Sequence, residues 1–363
     1  MLKYFQFRDV GKRLEDLETP VPIIDIDVVA RNVSRWQERC DGLGLANRPH
    51  IKTHKLVGLA KYQLAMGAKG ITVQKLGEAE VMADAGIQDM LMTFNVVGSH
   101  KLKRLAALAQ RTDISVVADN VEMLAGLSEA GVAAGRNIAV LVECDTGAAR
   151  NGVQSPQAAL KLAQNIQKTA GLKFGGLMTY AATGGRNQAD AFLVEARNLC
   201  RHAGLDVAVM SSGGSPDMWK DEGLANLNEY RAGTYIYFDR SLVARDTCTF
   251  EDCALAVLTT VVSRPTSERA IVDAGTKSLT SDLLGLQGFG VVHNLGDAKI
   301  YTANEEHGFL DISHLTQKPS VGDLLRITPN HVCPVTNLFD EVVFIKGVEV
   351  LGAVKVDARG LVK

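Results

Sequence analysis

Two histidines and two lysines fall within the eight residues Arg48-Pro49-His50-Ile51-Lys52-Thr53-His54-Lys55, after a short extended run and before a segment of helical spacing from about Leu56. The end of a strand is where α/β proteins carry chemistry. A lysine desolvated there loses its charge more readily, and the free amine is a nucleophile whose natural partner is a carbonyl. Taken alone the cluster reads as a solvated basic turn. Other residues make the chemical reading the stronger one.

Ser211-Ser212-Gly213-Gly214-Ser215 presents consecutive backbone N–H groups flanked by hydroxyls, a common way to hold a phosphate late in a barrel, although Ser/Gly runs are also ordinary turns. Arg231-Ala232-Gly233-Thr234-Tyr235 adds donors for the same group. A phosphate opposite a reactive lysine describes pyridoxal phosphate, whose aldehyde forms a Schiff base with an enzyme amine. Within Asn330–Pro334, His331 and Cys333 are two residues apart, and on an extended strand such residues project to one face. Imidazole with thiolate suits zinc, the remaining positions being filled by water, substrate or another residue. Asn304-Glu305-Glu306-His307-Gly308 offers further polar groups, or simply a charged turn.

These residues need a scaffold, and the periodicity supplies one. Ile23–Asp27 reads as a strand and Val28–Cys40 as a helix with Val29, Val33 and Trp36 on one face. Short apolar runs then begin near Asn47, Gly70, Asp89, Asp113, Ile138, Phe174, Val207 and Glu229, separated by segments such as Lys101–Gln110 and Pro156–Thr169 with helical spacing. Eight such units over about 190 residues predict a parallel (β/α)8 TIM barrel. Its strand ends would present Lys52, Gln74, Asn95, Asp119, Glu143, Arg150, Tyr180, the Ser211–Ser215 loop, Tyr235, Tyr237 and Asp239 around one mouth. After Asp239 the pattern becomes strands joined by Gly, Asp and Pro turns with no convincing helix, an all-β domain of about 120 residues. The expected organisation is a cofactor-binding barrel over 28–240 and a β domain carrying the metal pair over 241–363, joined by part of 1–27.

The 363 residues are 46% hydrophobic and 22% charged with a formal net charge of -2, ordinary for a soluble globular protein and without the basic footprint of a nucleic-acid binder. No run is apolar enough to span a bilayer and the first residues lack a secretory core, so a cytoplasmic protein is expected. The six cysteines show no CxxC spacing, which fits reduced thiols.

With these motifs in place, the sequence resembles the D-threonine aldolase and D-serine dehydratase family, fold-type III pyridoxal phosphate enzymes with an alanine-racemase-like barrel. The resemblance runs through RPHIKTHK (48–55), QKLGEAE from Gln74, DTGAARNGV (145–153), GGLMTY (175–180), SSGGS (211–215), RAGTY (231–235), DAGTKS (273–278), EEHG (305–308) and HVCPVTNL (331–338). It implies that Lys52, not Lys55, is the Schiff-base lysine, that Gln74, Arg150 and Tyr180 lie at the cofactor, and that Ser212, Gly213, Gly214, Ser215 and Tyr235 lie near its phosphate. It further implies that His331 and Cys333 hold a divalent metal, zinc or manganese, and that the enzyme is a homodimer in which the β domain of one subunit faces the barrel mouth of the other.

The activity implied is a lyase acting on a small D-3-hydroxy amino acid. Aldolases of this family carry aspartate where Cys333 stands and dehydratases carry cysteine, which favours dehydration to a 2-oxo acid and ammonia over retro-aldol cleavage to glycine and an aldehyde. The stretch Ala181–Arg186 lacks the histidine that often follows the tyrosine. A racemase would need a second base where the metal pair stands, and a non-catalytic pyridoxal phosphate carrier would consist of the barrel alone.

Overall fold

The computed structural model describes residues 1–363. The chain gathers into two compact units. One comprises Gln37–Lys52, Ala60–Gly233 and Leu361–Lys363, and the other Met1–Trp36, Thr53–Leu59 and Thr234–Gly360.

The first unit is the barrel. Its strands, in chain order, are Ala46–Asn47, Ile71–Val73, Asp89–Met92, Asp113–Ala118, Ile138–Cys144, Leu172–Thr179, Val209–Ser212 and Glu229–Tyr230. Neighbours pair in parallel from second to eighth, and the eighth pairs with the first. A bridge between His50 and Thr72 joins the first to the second and completes the ring. The strands are short and apolar because helices cover the outside. Leu91, Val117, Leu141 and Met178 form one buried cluster across four successive strands.

The helices follow from local sequence. Ser155 caps Pro156–Lys168 by accepting from the Ala158 amide at 3.1 Å, Pro156 occupies the first turn where its missing N–H costs nothing, and Ala159, Leu162, Ala163 and Ile166 form the buried stripe. Arg48 fastens the barrel at the first strand, bonding Glu229 and Asp89 at 2.6 Å each while wholly surrounded. Gly70 must lack a side chain, since a Cβ there would run into that guanidinium and the Asp89 backbone.

The second unit is built on antiparallel pairing. Leu255–Ser263, Arg269–Val272, Gly308–Asp311, Ala298–Ala303, Gly290–Val292 and Leu324–Pro329 pair in that circular order and close on themselves. Val21–Asp25 extends the sheet, antiparallel to Leu255–Ser263 and parallel to Glu341–Lys346, which in turn pairs with Glu349–Lys355. Ile23, Leu258, Val343, Ile345, Val350 and Ala353 make its apolar cluster.

Three sequence expectations are corrected here. Ile26 and Asp27 belong to the helix Ile26–Gly42, not to the strand, because the Asp25 carboxylate accepts from the amides of Asp27 (3.0 Å) and Val28 (3.3 Å) and starts the helix early. The region after Asp239 contains the short helices Arg240–Val243, Thr276–Leu279 and Val332–Leu338. Ala298–Ala303 is a strand in the stretch between Asn294 and Phe309, where the sequence pattern predicts none, its inward Ala298 and Ile300 alternating with exposed Lys299 and Tyr301. No helix is long and apolar enough to cross a membrane.

Candidate active site

In the barrel unit Lys52 lies in a single tight turn, Ile51–Thr53, just beyond the strand extension that carries His50. The His50 amide donates to the Ala232 carbonyl at 2.9 Å, and its ring Nε2 meets Gln74 Oε1 at 2.9 Å. Gln74 is held in turn, its side-chain amide donating to the Thr93 carbonyl (3.3 Å) and its backbone N–H to Glu78 (2.7 Å). The turn leaves the Lys52 side chain exposed. Lys55, in the other unit, is different in kind. It is buried, adopts a left-handed φ of 55°, and donates Nζ to the Ala358 carbonyl at 3.3 Å.

Arg150 and Tyr180 come together in the same unit, the guanidinium carbon 5.0 Å from the ring centroid. Glu143 supports Arg150 from below at 3.6 Å. Burial pushes the Glu143 carboxyl up from 4.5 to about 7, outweighing the attraction of Arg150 and Arg231, and its Oε2 has no hydrogen-bond partner. Asp119 accepts from Asn95 (2.9 Å) and from the Gly152 amide (3.1 Å), which pins the loop bearing Arg150.

The Ser/Gly loop follows the seventh barrel strand. Gly213 has φ +121°, and a Cβ on it would lie 2.5 Å from the Tyr230 ring. A Cβ on Gly214 would lie 3.1 Å from Tyr180. Ser212 and Ser215 are buried beside them, and the Tyr230 hydroxyl donates to the Gly214 carbonyl at 3.0 Å. Arg231 is buried under the loop, bonded to Ser211 and to the Thr179 carbonyl. Arg186 lines the same pocket as Gly213, Gly214, Tyr180 and Tyr230. Its Nη1 donates to the carbonyls of Asp217 (2.7 Å) and Lys220 (2.8 Å), while its buried Nη2 has no partner. Side-chain-free backbone beside an incompletely satisfied buried cation fits a phosphate. Tyr235 lies in the other unit, fully buried with its ring 6.0 Å from Trp36.

The second unit holds His331 and Cys333, but not on a strand as expected. His331 is extended (φ -141°, ψ 107°) and immediately precedes the helix Val332–Leu338, whose first turn contains Cys333. The two still interact directly. Burial works against the charged imidazole, yet the contacts with Cys333 and Asp282 outweigh it and raise His331 from 6.5 to about 9. Asp282 Oδ2 lies 2.8 Å from His331 Nδ1, so Nε2 is the ring nitrogen on the side away from that carboxylate. The Cys333 sulfur meets the Thr53 hydroxyl at 3.2 Å.

No third His, Cys, Asp or Glu joins the pair as a ligand group, so water or substrate would complete a cation's coordination, as in catalytic sites. A thiol, an imidazole nitrogen turned away from its carboxylate partner, and open positions fit zinc or a similar divalent ion. The Tyr237 hydroxyl, fully buried and without a partner, lies within the electrostatic reach of Cys333. Glu305, Glu306 and His307 form an exposed turn, with Lys277 on Glu306 at 2.7 Å.

Asp282 was not legible as part of this group, since 49 residues and no motif separate it from His331. Arg186 was visible only as a basic residue after Tyr180.

Comparison with known proteins places the chain. Residues 24–241 match the family described as alanine racemase, N-terminal domain, and residues 254–345 the putative serine dehydratase domain. A D-threonine aldolase of Arthrobacter sp. is 35% identical over 366 residues, covering 96% of this chain and 95% of the relative. A D-threo-3-hydroxyaspartate dehydratase of Delftia sp. is 34% identical over 350 residues, covering 87% and 91%. The crystal structure of D-threonine aldolase from Filomicrobium marinum superposes with a TM-score of 0.92 at 32% identity, covering 99% of this chain and all of that one. An alanine-racemase-type barrel followed by a serine dehydratase domain, matched end to end by these relatives, makes the chain a member of the pyridoxal phosphate-dependent and divalent-metal-dependent lyases of the D-threonine aldolase and D-serine dehydratase family.

Proposed function

We propose that this lyase acts on a small D-3-hydroxy amino acid and favours loss of water and ammonia to give a 2-oxo acid. The observation that carries the direction is the thiol of Cys333 beside His331, the ligand type that the resemblance associates with dehydratases. When bound, pyridoxal phosphate supplies an electron sink for charge at Cα, and the divalent metal supplies a Lewis acid for the β-hydroxyl.

The chain's residues do the rest. Lys52, exposed and unencumbered by an internal bond, attaches the cofactor and afterwards accepts the Cα proton on Nζ. The amides of Gly213 and Gly214, with the hydroxyls of Ser212 and Ser215, bind the phosphate against the positive charge of Arg186. Arg150, stacked over Tyr180 and backed by Glu143, orients the ring end, and Gln74 is fixed by His50 for the same purpose. Tyr235, the buried middle residue of the Thr234–Ile236 turn, is the residue that the resemblance places near the phosphate. His331 and Cys333 hold the metal. The resemblance also implies a homodimer.

Identity to a D-threonine aldolase supports a second reading, cleavage between Cα and Cβ to glycine and an aldehyde by the same residues. Incubation with D-threonine, D-serine and D-threo-3-hydroxyaspartate, followed by assay of ammonia and 2-oxo acid against glycine, decides between them. Glycine as the main product from every substrate would reject the dehydratase assignment.

A further inference from the structure

One carboxylate is bonded to the proposed ligand His331 and another to the backbone between His331 and Cys333, and neither is itself a ligand. Asp282 Oδ2 stands 2.8 Å from His331 Nδ1. A carboxylate there fixes the tautomer, keeps the lone pair of Nε2 directed outward and makes the imidazole a better donor. Asp239 holds the backbone. Its Oδ2 accepts from the amide of Val332, the residue between the ligands, at 3.2 Å. Its Oδ1 accepts from the Ser241 hydroxyl (2.6 Å) and the Leu242 amide (3.2 Å), capping the helix Arg240–Val243.

Asp239 is fully buried, and a carboxylate taken out of water is retained only where its bonds are well made. Here one side chain anchors two helix N-termini at once, and one of them begins with the Val332 amide. His331 and Cys333 flank that amide, so any shift of it moves both donor atoms together. A two-ligand site has no third protein ligand to restore the geometry.

Resting on the reading that His331 and Cys333 bind the metal, we propose that Asp282 and Asp239 are positioning residues that set metal affinity. Asp282 does so by orienting the His331 ring, and Asp239 by fixing the backbone between the ligands. Neither contacts the metal.

The test uses the cofactor-loaded enzyme, stripped of metal by chelation and titrated with Co²⁺. The thiolate-to-cobalt charge-transfer band and the visible d–d bands are followed. Asp282→Asn and Asp239→Asn should each weaken Co²⁺ binding about tenfold or more and move the d–d bands, with the cofactor absorbance unchanged. Asp297→Asn, which alters another histidine–carboxylate pair (His293 Nδ1 to Asp297 Oδ1, 2.6 Å), should bind as the parent does. Either Asp282→Asn or Asp239→Asn binding Co²⁺ within about twofold of the parent (against the tenfold expected) overturns the proposal. Asp282 is half exposed, so its substitution leaves the fold intact and can overturn the proposal even if Asp239→Asn does not fold. His331→Ala and Cys333→Ala separate the two levels. If Cys333→Ala retains the charge-transfer band, or His331→Ala retains the d–d bands of the parent, the assignment of the metal ligands has failed, and not merely that of their supports.

Discussion

Glu143 lies 3.6 Å from the Arg150 guanidinium, its own side chain buried while that of Arg150 is more than half exposed. Burial dominates this pair and raises the carboxyl to about 7. From pH 4.5 to about 7 the folded chain therefore holds a proton that the unfolded chain has released, so stability falls as pH rises through that window. The total is on the order of 3 kcal/mol at about 1.4 kcal/mol per unit. Urea midpoints for the parent and Glu143→Gln should diverge with rising pH, because the amide side chain of the variant does not titrate and makes no contribution to the decline. Parallel curves from pH 5 to 8 would contradict the buried carboxyl.

Lys52→Ala should remove the Schiff-base absorbance and lower turnover by about 10³-fold or more, since attachment and proton transfer are both lost. Lys55→Ala should keep the absorbance and lose stability instead, because that amine is buried on the Ala358 carbonyl. Spectra of the two purified variants distinguish the lysines.

Chelation should abolish turnover while leaving cofactor bound, and added Zn²⁺ or Mn²⁺ should restore it. Activity measured before and after dialysis against chelator, with metal content determined in parallel, checks this. Undiminished turnover at negligible metal content would remove the Lewis acid from the reaction.

Gly213→Ala should destabilise the fold by roughly 1–3 kcal/mol and weaken cofactor binding, because φ +121° disfavours any side chain and the Tyr230 ring fills the space. Gly214→Ala should be milder, since its backbone is extended and the half-exposed Tyr180 can move. Thermal melts and equilibrium titration with pyridoxal phosphate measure both effects, and equal behaviour of the two variants would count against the close-packed loop.

The barrel was legible because most of its strands are short apolar runs followed by a helical repeat, a local signal. The position of Lys52 just beyond the first barrel strand was legible because its neighbours are themselves unusual. The helix Val332–Leu338 was hidden for a physical reason: Val332, Val335 and Thr336 are β-branched and favour strands. Asp239 overrides that preference from 93 residues away by taking the Val332 amide, and Pro334 is tolerated because it falls in the first turn, where its missing N–H has no intrahelical partner. The strand Val21–Asp25 was readable as a strand, while its partners at Leu255–Ser263 and Glu341–Lys346 were not, since pairing across such distances leaves no local trace.

That early strand also constrains how the protein is made. A ribosome releases Val21–Asp25 near the beginning, yet the slot that receives it has one wall from residues 255–263 and the other from 341–346. The segment must therefore remain unpaired through most of translation, an aggregation-prone interval that the self-contained ring of parallel strands does not share. Stalled nascent chains ending before Glu341 should accordingly acquire protease resistance across the ring while their first two dozen residues stay open to cleavage.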